Sequence, residues 1–290
     1  FVANHRDIVL DAAILDVLLY DNGIDTCQIT FGDNLMKGDL VVHIGKLNKM
    51  FKIVRGGNIR DFHKNSMEVS AYMRHVITEK YESVWIAQRN GRTKDGLDKT
   101  EIGLLKMFSL SSDKPFVDNF DEISITPVAI SYEYEPCDFL KAVELYISQY
   151  QKYIKGEHED LNSILTGIKQ PKGHIHLAIT PSILRNELIA CDAKEKKNEK
   201  LEMLASIIDE RINTHRKIYK TNYIAFDILH NSNHFAEFYT QNEKNEFVNY
   251  MKTGFDALEI KNDRCSIEEV FLKIYANALE KNDTIVHSAD

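Results

Sequence analysis

Short apolar segments alternate with helical segments through the first two-thirds of the chain, and this alternation constrains its fold most strongly. Each apolar segment has the length of a strand and is bounded by polar or glycine-containing turns. Because strands that alternate with helices assemble into sheets covered by those helices, the pattern predicts an α/β fold with a mostly parallel or mixed sheet. The predicted strands are residues 1–4, 40–44, 51–54, 83–87, 123–131 and 174–179.

The segments between these strands carry apolar residues at helical spacing. In the predicted helix 11–20, Ala12, Leu15, Leu18 and Leu19 share one stripe, and residues 58–78 and 138–153 are predicted helices of the same kind. After about residue 185 the chain becomes rich in Glu and Lys, with Leu and Ile along one face of residues 194–217; residues 242–258 and 267–279 have the same pattern. We therefore expect an α/β domain at 1–185 and a helical C-terminal region, 186–290, packed on it.

Charge is distributed unevenly along the chain. The 290 residues contain 36 basic and 44 acidic side chains, a net charge of -8 that argues against a general nucleic-acid binder. Residues 41–106 alone carry 13 Lys and Arg against 7 Asp and Glu, a local net charge of +6. Such a basic block predicts an anionic ligand or a membrane-facing surface. Pairing with acidic residues elsewhere in the chain is the open alternative.

The ends and the cysteines of the sequence add two expectations. The chain begins at Phe1, without Met, and no run approaches the ~18 apolar residues that cross a bilayer, so we expect any membrane anchor to precede this sequence. Its four cysteines are widely spaced, without a C-x-x-C pair or histidines at metal-ligand offsets. This spacing predicts reduced, buried thiols and no metal site.

The first candidate site is the segment Asn-His-Arg-Asp-Ile-Val-Leu-Asp at residues 4–11, which follows a predicted strand and opens a predicted helix. A strand-to-helix turn is a position where α/β sheets place reactive groups. A histidine held by a carboxylate, as His5 with Asp11, can act as a general base. The alternative is a solvated turn in which an aspartate caps the helix.

The second candidate site is a loop rich in basic residues and glycine. An apolar strand at 83–87 leads into the sequence Gln-Arg-Asn-Gly-Arg-Thr-Lys, in which Arg92 and Lys94 can bind a phosphate. Arg55 likewise follows the predicted strand 51–54. Because parallel strands end at one edge of a sheet, we expect these groups to converge with His5. A polar surface turn is the alternative for this loop.

Taken in order, these segments resemble the glycerolipid acyltransferase superfamily, and a bacterial branch in particular. The blocks are N-H-R-x-x-x-x-D at residues 4–11, an apolar strand ending in Arg55, the Gly91-Arg92 loop, and x-P-V-x-I at residues 126–130; together they span residues 1–132. The superfamily includes glycerol-3-phosphate and 1-acylglycerol-3-phosphate acyltransferases, which esterify a glycerophosphate in phospholipid biosynthesis.

The resemblance implies a mechanism and roles for individual residues. His5 would take the proton of a glycerol hydroxyl that attacks the thioester of acyl-CoA or acyl carrier protein, and Asp11 would orient the imidazole. Arg55 and the loop residues Asn90, Gly91, Arg92 and Lys94 would hold the acceptor phosphate. Pro127 and its strand would shape the acyl side, and backbone N–H groups near the helix start would stabilise the oxyanion.

The resemblance also implies the setting of the reaction. It implies no cofactor, no metal and no nucleic acid. The expected partners are the acyl donor, the glycerophosphate acceptor and a membrane surface. The expected location is the cytoplasmic face of the inner membrane, with the chain peripheral or anchored by a preceding segment.

Two departures from the family pattern favour a second hypothesis. Five residues separate His5 from Asp11 instead of four, so that Leu10 stands at the expected position; a bulged turn would restore the contact, and Asp7 is the alternative partner. Asn90 stands where the family usually has a glutamate. These differences are compatible with a catalytically weak or silent lipid- or partner-binding module on the same fold.

Overall fold

A six-stranded mixed sheet forms the centre of the computed structural model, which describes residues 1–35, 39–54, 58–258 and 263–280. The strands are β1 (Val2–Ala3), β2 (Gln28–Gly32), β3 (Met50–Ile53), β4 (Val84–Ala87), β5 (Pro127–Tyr132) and β6 (Ile175–Ile179). They lie in the order β3-β2-β4-β1-β5-β6. The first five are parallel, and β6 pairs with β5 in the antiparallel sense. The predicted α/β fold is confirmed.

Twelve α-helices accompany the sheet within the described ranges. They are α1 (Leu10–Asp21), α2 (Asp39–Leu47), α3 (Ile59–Thr78), α4 (Ile102–Phe108), α5 (Phe116–Ile123), α6 (Asp138–Tyr150), α7 (Glu159–Lys169), α8 (Arg185–Asp192), α9 (Lys197–His215), α10 (Lys220–Leu229), α11 (Gln241–Ala257) and α12 (Arg264–Glu280). No helix in these ranges combines the length and the apolar character that crossing a membrane requires.

The alternation of side chains along the central strands places apolar cores on both faces of the sheet. In β4, Trp85 and Ala87 pack with α1 on one face, whereas Val84 and Ile86 pack with α3, α4, α5, α8 and α9 on the other. This explains why β4 is an uninterrupted apolar run, since a parallel strand covered on both faces has no polar side. A third core joins α6 to α10, α11 and α12.

These cores extend across residue 185, the expected domain boundary. Helices α8 and α9, which follow that residue, contribute Leu188, Leu201 and Leu204 to the core that contains Val2 and Ile86 of the sheet. Helix α6, which precedes the boundary, packs with the C-terminal helices. The helical C-terminal region therefore shares its buried apolar surface with the α/β part.

Three sequence predictions about local structure are wrong. Residues 40–44, predicted as a strand, lie in α2. The prediction failed because a short apolar run is compatible with both a buried strand and a helix. Strand β2, whose apolar and polar residues are both buried between β3 and β4, was not predicted. The strand predicted at 123–131 begins only at Pro127, since α5 extends to Ile123 and Ser124 ends it with φ 48°.

The cysteine prediction is correct in part. All four thiols are free, and Cys27, Cys137 and Cys191 are buried, as expected. Cys265 is exposed instead. It lies near the start of α12, where the side chains that join the third core begin two residues later with Ile267.

Candidate active site

His5 and Asp11 form a hydrogen-bonded pair at the carboxyl end of β1. His5 Nδ1 lies 2.9 Å from Asp11 Oδ2, and the exposed fraction of the side chain is 12% for His5 and 1% for Asp11. A carboxylate can only accept, so Nδ1 donates the proton of this bond. In the neutral imidazole, Nε2 is therefore the unprotonated nitrogen and carries the lone pair of a base.

The turn between β1 and α1 brings the two residues together despite their longer spacing. Oδ2 of Asp11 also accepts the backbone N–H groups of Arg6 at 2.7 Å and Asp7 at 3.0 Å, so the chain wraps around this one oxygen. Asp7 is not the partner of His5. Its Oδ1 accepts the N–H groups of Val9 and Leu10, both at 2.9 Å, and so caps the start of α1.

These same bonds exclude part of the expected oxyanion site. The N–H groups of Arg6, Asp7, Val9 and Leu10 all donate to the carboxylates of Asp7 or Asp11. They are therefore not free to donate to a substrate oxyanion. The expectation fails for these four groups because the turn uses them to position Asp11 and to begin α1.

Tyr132, at the end of β5, completes the environment of Asp11. Its hydroxyl donates to Asp11 Oδ1 at 2.7 Å, so both carboxylate oxygens are held. Burial, followed by the charge of Asp11, raises the pKa of the Tyr132 hydroxyl well above its ordinary value and keeps it a donor. The sequence motifs assigned no role to Tyr132. The signal in the sequence that could have pointed to Tyr132 was its position at the end of a strand parallel to β1.

A buried ionic network ties the His5 turn to the loop after β4. Arg6 Nη2 donates to Asp98 Oδ2 at 2.7 Å, and Nη1 lies 3.3 Å from Glu135 Oε2. Burial opposes the charge of Arg6, but these two carboxylates outweigh it and raise its pKa. Lys141 Nζ donates to Glu135 Oε1 at 2.6 Å and to the Arg6 carbonyl at 2.8 Å.

The basic loop that follows β4 lies directly against the His5 turn. The backbone N–H of Thr93 donates to the His5 carbonyl at 2.7 Å, and Gly91 supplies the φ of +77° that the loop needs. Arg92 is half-buried, and its Nη1 is buried without a hydrogen-bond partner among the residues that the structure describes. A buried guanidinium nitrogen with an unused N–H is suited to an anionic ligand.

The other predicted phosphate ligands are placed differently. Lys94 forms an ion pair with Glu144 of α6, so its charge is already compensated. Asn90 is exposed, and its backbone N–H donates to Oε2 of Glu101 at 3.2 Å; Glu101 is not among the predicted site residues. Arg55 lies outside the described residues.

An apolar groove of about 500 Å³ opens at the same edge of the sheet. It lies between α3 and α4, over the carboxyl ends of β3, β2 and β4, and Arg89 and Asn90 of the basic loop also line it. Its apolar lining includes Ile53, Val54, Ile59, Phe62, Leu104 and Met107. The groove therefore adjoins the strand next to the one that carries His5.

Pro127 lies at the opposite end of the parallel strands, where β5 begins. It opens β5, pairs with Val2, and its carbonyl accepts the N–H of Thr180 at 3.0 Å. His5 follows the opposite, carboxyl end of β1. The structure thus does not bring Pro127 to the groove or to the His5–Asp11 pair.

Two histidines near β6, His174 and His176, each lie against an oxygen atom of a neighbouring residue. His174 is exposed and lies 2.7 Å from Oε2 of Glu133, and Nε2 of His176 lies 3.1 Å from the His215 carbonyl. Within the ranges the structure describes, no three His, Cys, Asp or Glu side chains are grouped closely enough to hold a metal.

No protein-family model matches this chain, and no curated protein matches it. A functional proposal for the chain therefore depends on three features of its structure. They are the His5–Asp11 pair, the unpaired nitrogen of Arg92 and the apolar groove.

Proposed function

We propose that the chain is an acyltransferase that moves a fatty acyl group from a thioester to a hydroxyl of a glycerophosphate. The observation that carries the proposal is the His5–Asp11 pair, held by Tyr132 and two backbone N–H groups so that Nε2 of His5 is the free base. A base of this kind contributes roughly 10²–10⁴ in rate when it removes the proton of an attacking hydroxyl.

In the proposed step, Nε2 of His5 takes the hydroxyl proton while the hydroxyl oxygen attacks the thioester carbonyl carbon. The tetrahedral intermediate collapses, the C–S bond breaks, and the thiolate receives the proton from the imidazolium. The products are an ester and a free thiol. Asp11 stabilises the transient imidazolium, because its buried carboxylate contacts Nδ1 at 2.9 Å.

The neighbouring features are suited to the two substrates. The apolar groove supports an acyl chain as its occupant, because burial of methylene groups from water is favourable. Arg92 is the proposed ligand of the acceptor phosphate, since its Nη1 has no hydrogen-bond partner in the described part of the chain, whereas Lys94 is paired with Glu144. Arg55 remains a proposed second ligand by the resemblance alone.

The test is product analysis with the purified chain and a small matrix of substrates. The donors are acyl-CoA and acyl carrier protein thioesters, and the acceptors are glycerol-3-phosphate and its 1-acyl form. His5→Ala is expected to lower the rate about 10²–10⁴-fold. Asp11→Asn should give a comparable loss while keeping the fold, because the amide oxygen can replace Oδ2 and the amide NH₂ can donate to Tyr132.

His174→Ala is the matched control. His174 also contacts a carboxylate, at 2.7 Å, but its side chain is 85% exposed and lies on the β5–β6 side of the sheet. This variant should retain wild-type turnover. A His5→Ala variant as fast as wild type would show that His5 is not the base. Binding of donor or acceptor without product in any combination would favour the silent module.

A further inference from the structure

Strand β6 lies at one edge of the sheet, and its outer side is open. Its ladder partner is β5, in the antiparallel sense. The main-chain groups of an antiparallel strand point alternately toward its partner and away from it. The N–H of Thr180 and the C=O of His174 bond to β5, so the main-chain groups of Ile175, Leu177 and Ile179 point away from it. Among the residues that the structure describes, none bonds to these outward groups.

The sequence of β6 lacks the features that usually keep an edge strand from pairing. Ile-His-Leu-Ala-Ile contains no lysine, no carboxylate and no proline. Ile175 is 40% exposed and Ile179 is 45% exposed. The strand at the other edge of the sheet differs, because β3 carries the exposed Lys52. An apolar edge strand with free main-chain groups is a template for one more strand.

The residue order of β6 is complementary to itself in the antiparallel direction. When two copies of β6 pair about Leu177, Ile175 of each copy lies opposite Ile179 of the other, and Leu177 lies opposite its own counterpart. Each outward-facing residue then opposes an outward-facing residue, as the exchange of main-chain hydrogen bonds requires. A shift by two residues would place an isoleucine opposite Gly173 or Pro181, and Pro181 has no N–H to donate. A shift by one residue would set outward groups against inward ones.

The side chains of β6 fit the same register. Ile175, Leu177 and Ile179 share one face of the strand, and Leu177 packs there against the core beneath α1. Pairing would therefore bring each exposed Ile175 against an exposed Ile179 and remove apolar surface from water. On the other face, His176 would lie opposite Ala178, so no like charges meet. A second copy of this chain thus matches the edge in main chain and side chains.

We propose that two copies of the chain associate through β6 and form one continuous sheet about a two-fold axis at Leu177. The interface is isologous, since the same strand is used by both copies. Because strands of five residues bury less surface than the roughly 1,600 Å² of a standard interface, we expect a micromolar dissociation constant. His5 follows β1, which β5 separates from β6. Association therefore needs no acyl transfer and can fail or succeed independently of the proposed function.

The test is sedimentation velocity over a series of protein concentrations. Wild type is expected to pass from monomer to dimer, and hydrogen exchange of the β6 amides should slow as the dimer forms. Ile175→Lys with Ile179→Lys should weaken the dimer at least about tenfold, because the introduced ammonium groups oppose each other across the strand pair. Ile175→Glu with Ile179→Lys should dimerise at least about fivefold more tightly than the double-lysine variant, because each introduced carboxylate opposes an introduced ammonium group.

Val41→Lys with Ile44→Lys is the matched control. Val41 is 38% exposed and Ile44 is 49% exposed, but both lie on α2, which leads into β3 at the opposite edge of the sheet. This variant should dimerise as wild type does. Thermal unfolding of dilute protein should be similar for the two β6 variants, so that a difference in their dissociation constants reports the register and not the folding.

Three outcomes would overturn the proposal. One is a wild-type chain that remains monomeric at about 100 µM, which would leave the β6 edge to a partner other than a second copy. Another is a double-lysine variant that dimerises as tightly as wild type. The third is an equal dissociation constant for the two β6 variants, because the register about Leu177 requires them to differ.

Discussion

The hydroxyl of Tyr132 donates a 2.7 Å hydrogen bond to Oδ1 of Asp11, and this contact joins the end of β5 to the first turn of α1. The two residues are 121 positions apart in the chain. Through this bond the sheet fixes the carboxylate whose other oxygen meets His5. The pair is thus positioned by the sheet as well as by its own turn.

Replacing Tyr132 by Phe removes this bond and leaves Oδ1 of Asp11 buried without its donor. Because an unsatisfied buried acceptor costs about 1–3 kcal/mol, the free energy of unfolding should fall by that amount. Denaturant titration measures this free energy. Tyr81→Phe is the control: Tyr81 is 88% exposed, so its replacement should leave the free energy of unfolding nearly unchanged. Equal stabilities of the two variants would show that the Tyr132 bond contributes nothing.

Arg92 and Lys94 should differ in their effect on the acceptor. A charge-assisted hydrogen bond contributes about 1.5–3 kcal/mol, so Arg92→Gln should raise the KM for a glycerophosphate about 10–100-fold. Lys94→Gln should change this KM little, because Lys94 is paired with Glu144. Steady-state kinetics against acceptor concentration measures the KM of both variants. A larger rise in KM for Lys94→Gln than for Arg92→Gln would assign the phosphate to Lys94.

Gly167 should not tolerate a methyl group. A Cβ at this position of α7 would overlap the carboxylate of Asp7, which cannot move without breaking its bonds to Val9 and Leu10. Overpacking of this kind costs about 1–3 kcal/mol, so Gly167→Ala should be destabilising. Gly103→Ala is the control, because it also lies in a helix and its Cβ would meet nothing within 4 Å. Thermal unfolding should rank Gly103→Ala as the more stable variant.

Asp138 should make stability depend on pH in an unusual direction. Burial raises its pKa from 3.8 to about 6, although the hydroxyls of Tyr275 at 2.6 Å and Tyr250 at 2.9 Å partly oppose this shift. The folded state therefore binds a proton more strongly than the unfolded state between these values. The contribution of Asp138 to stability is largest below pH 4 and falls as pH rises through about 6.

The variant Asp138→Asn should lack this component. The difference in unfolding free energy between wild type and variant should shift in favour of the variant by about 2–2.5 kcal/mol from pH 4 to pH 7, because the carboxyl of the unfolded chain is already partly ionised at pH 4. Denaturant titration at several pH values measures the difference. A constant difference across this range would show that the carboxyl group does not titrate with a raised pKa.

Much of the α/β architecture could be predicted from local patterns. The uninterrupted apolar run of β4 and the apolar stripe of α1 are each buried against neighbouring layers. The spacing of their apolar residues is therefore visible in the sequence itself. Strand β2 could not be predicted in this way. Its polar residues are buried by neighbours far along the chain, as when Tyr72 donates to Gln28 at 2.6 Å.

In the candidate site, too, some features follow from the sequence and others only from the tertiary structure. The sequence by itself determined that His5 and two acidic residues stand in a strand-to-helix turn, and that a basic loop follows a parallel strand. Only the tertiary structure decided that Asp11, and not Asp7, contacts His5, and that Lys94 is neutralised by Glu144. It also decided that Pro127 lies where the parallel strands begin, at the opposite end from His5. The physical reason is that residue types and spacing determine which groups share a turn. The direction and pairing of a charged side chain depend instead on partners that folding brings from distant parts of the chain.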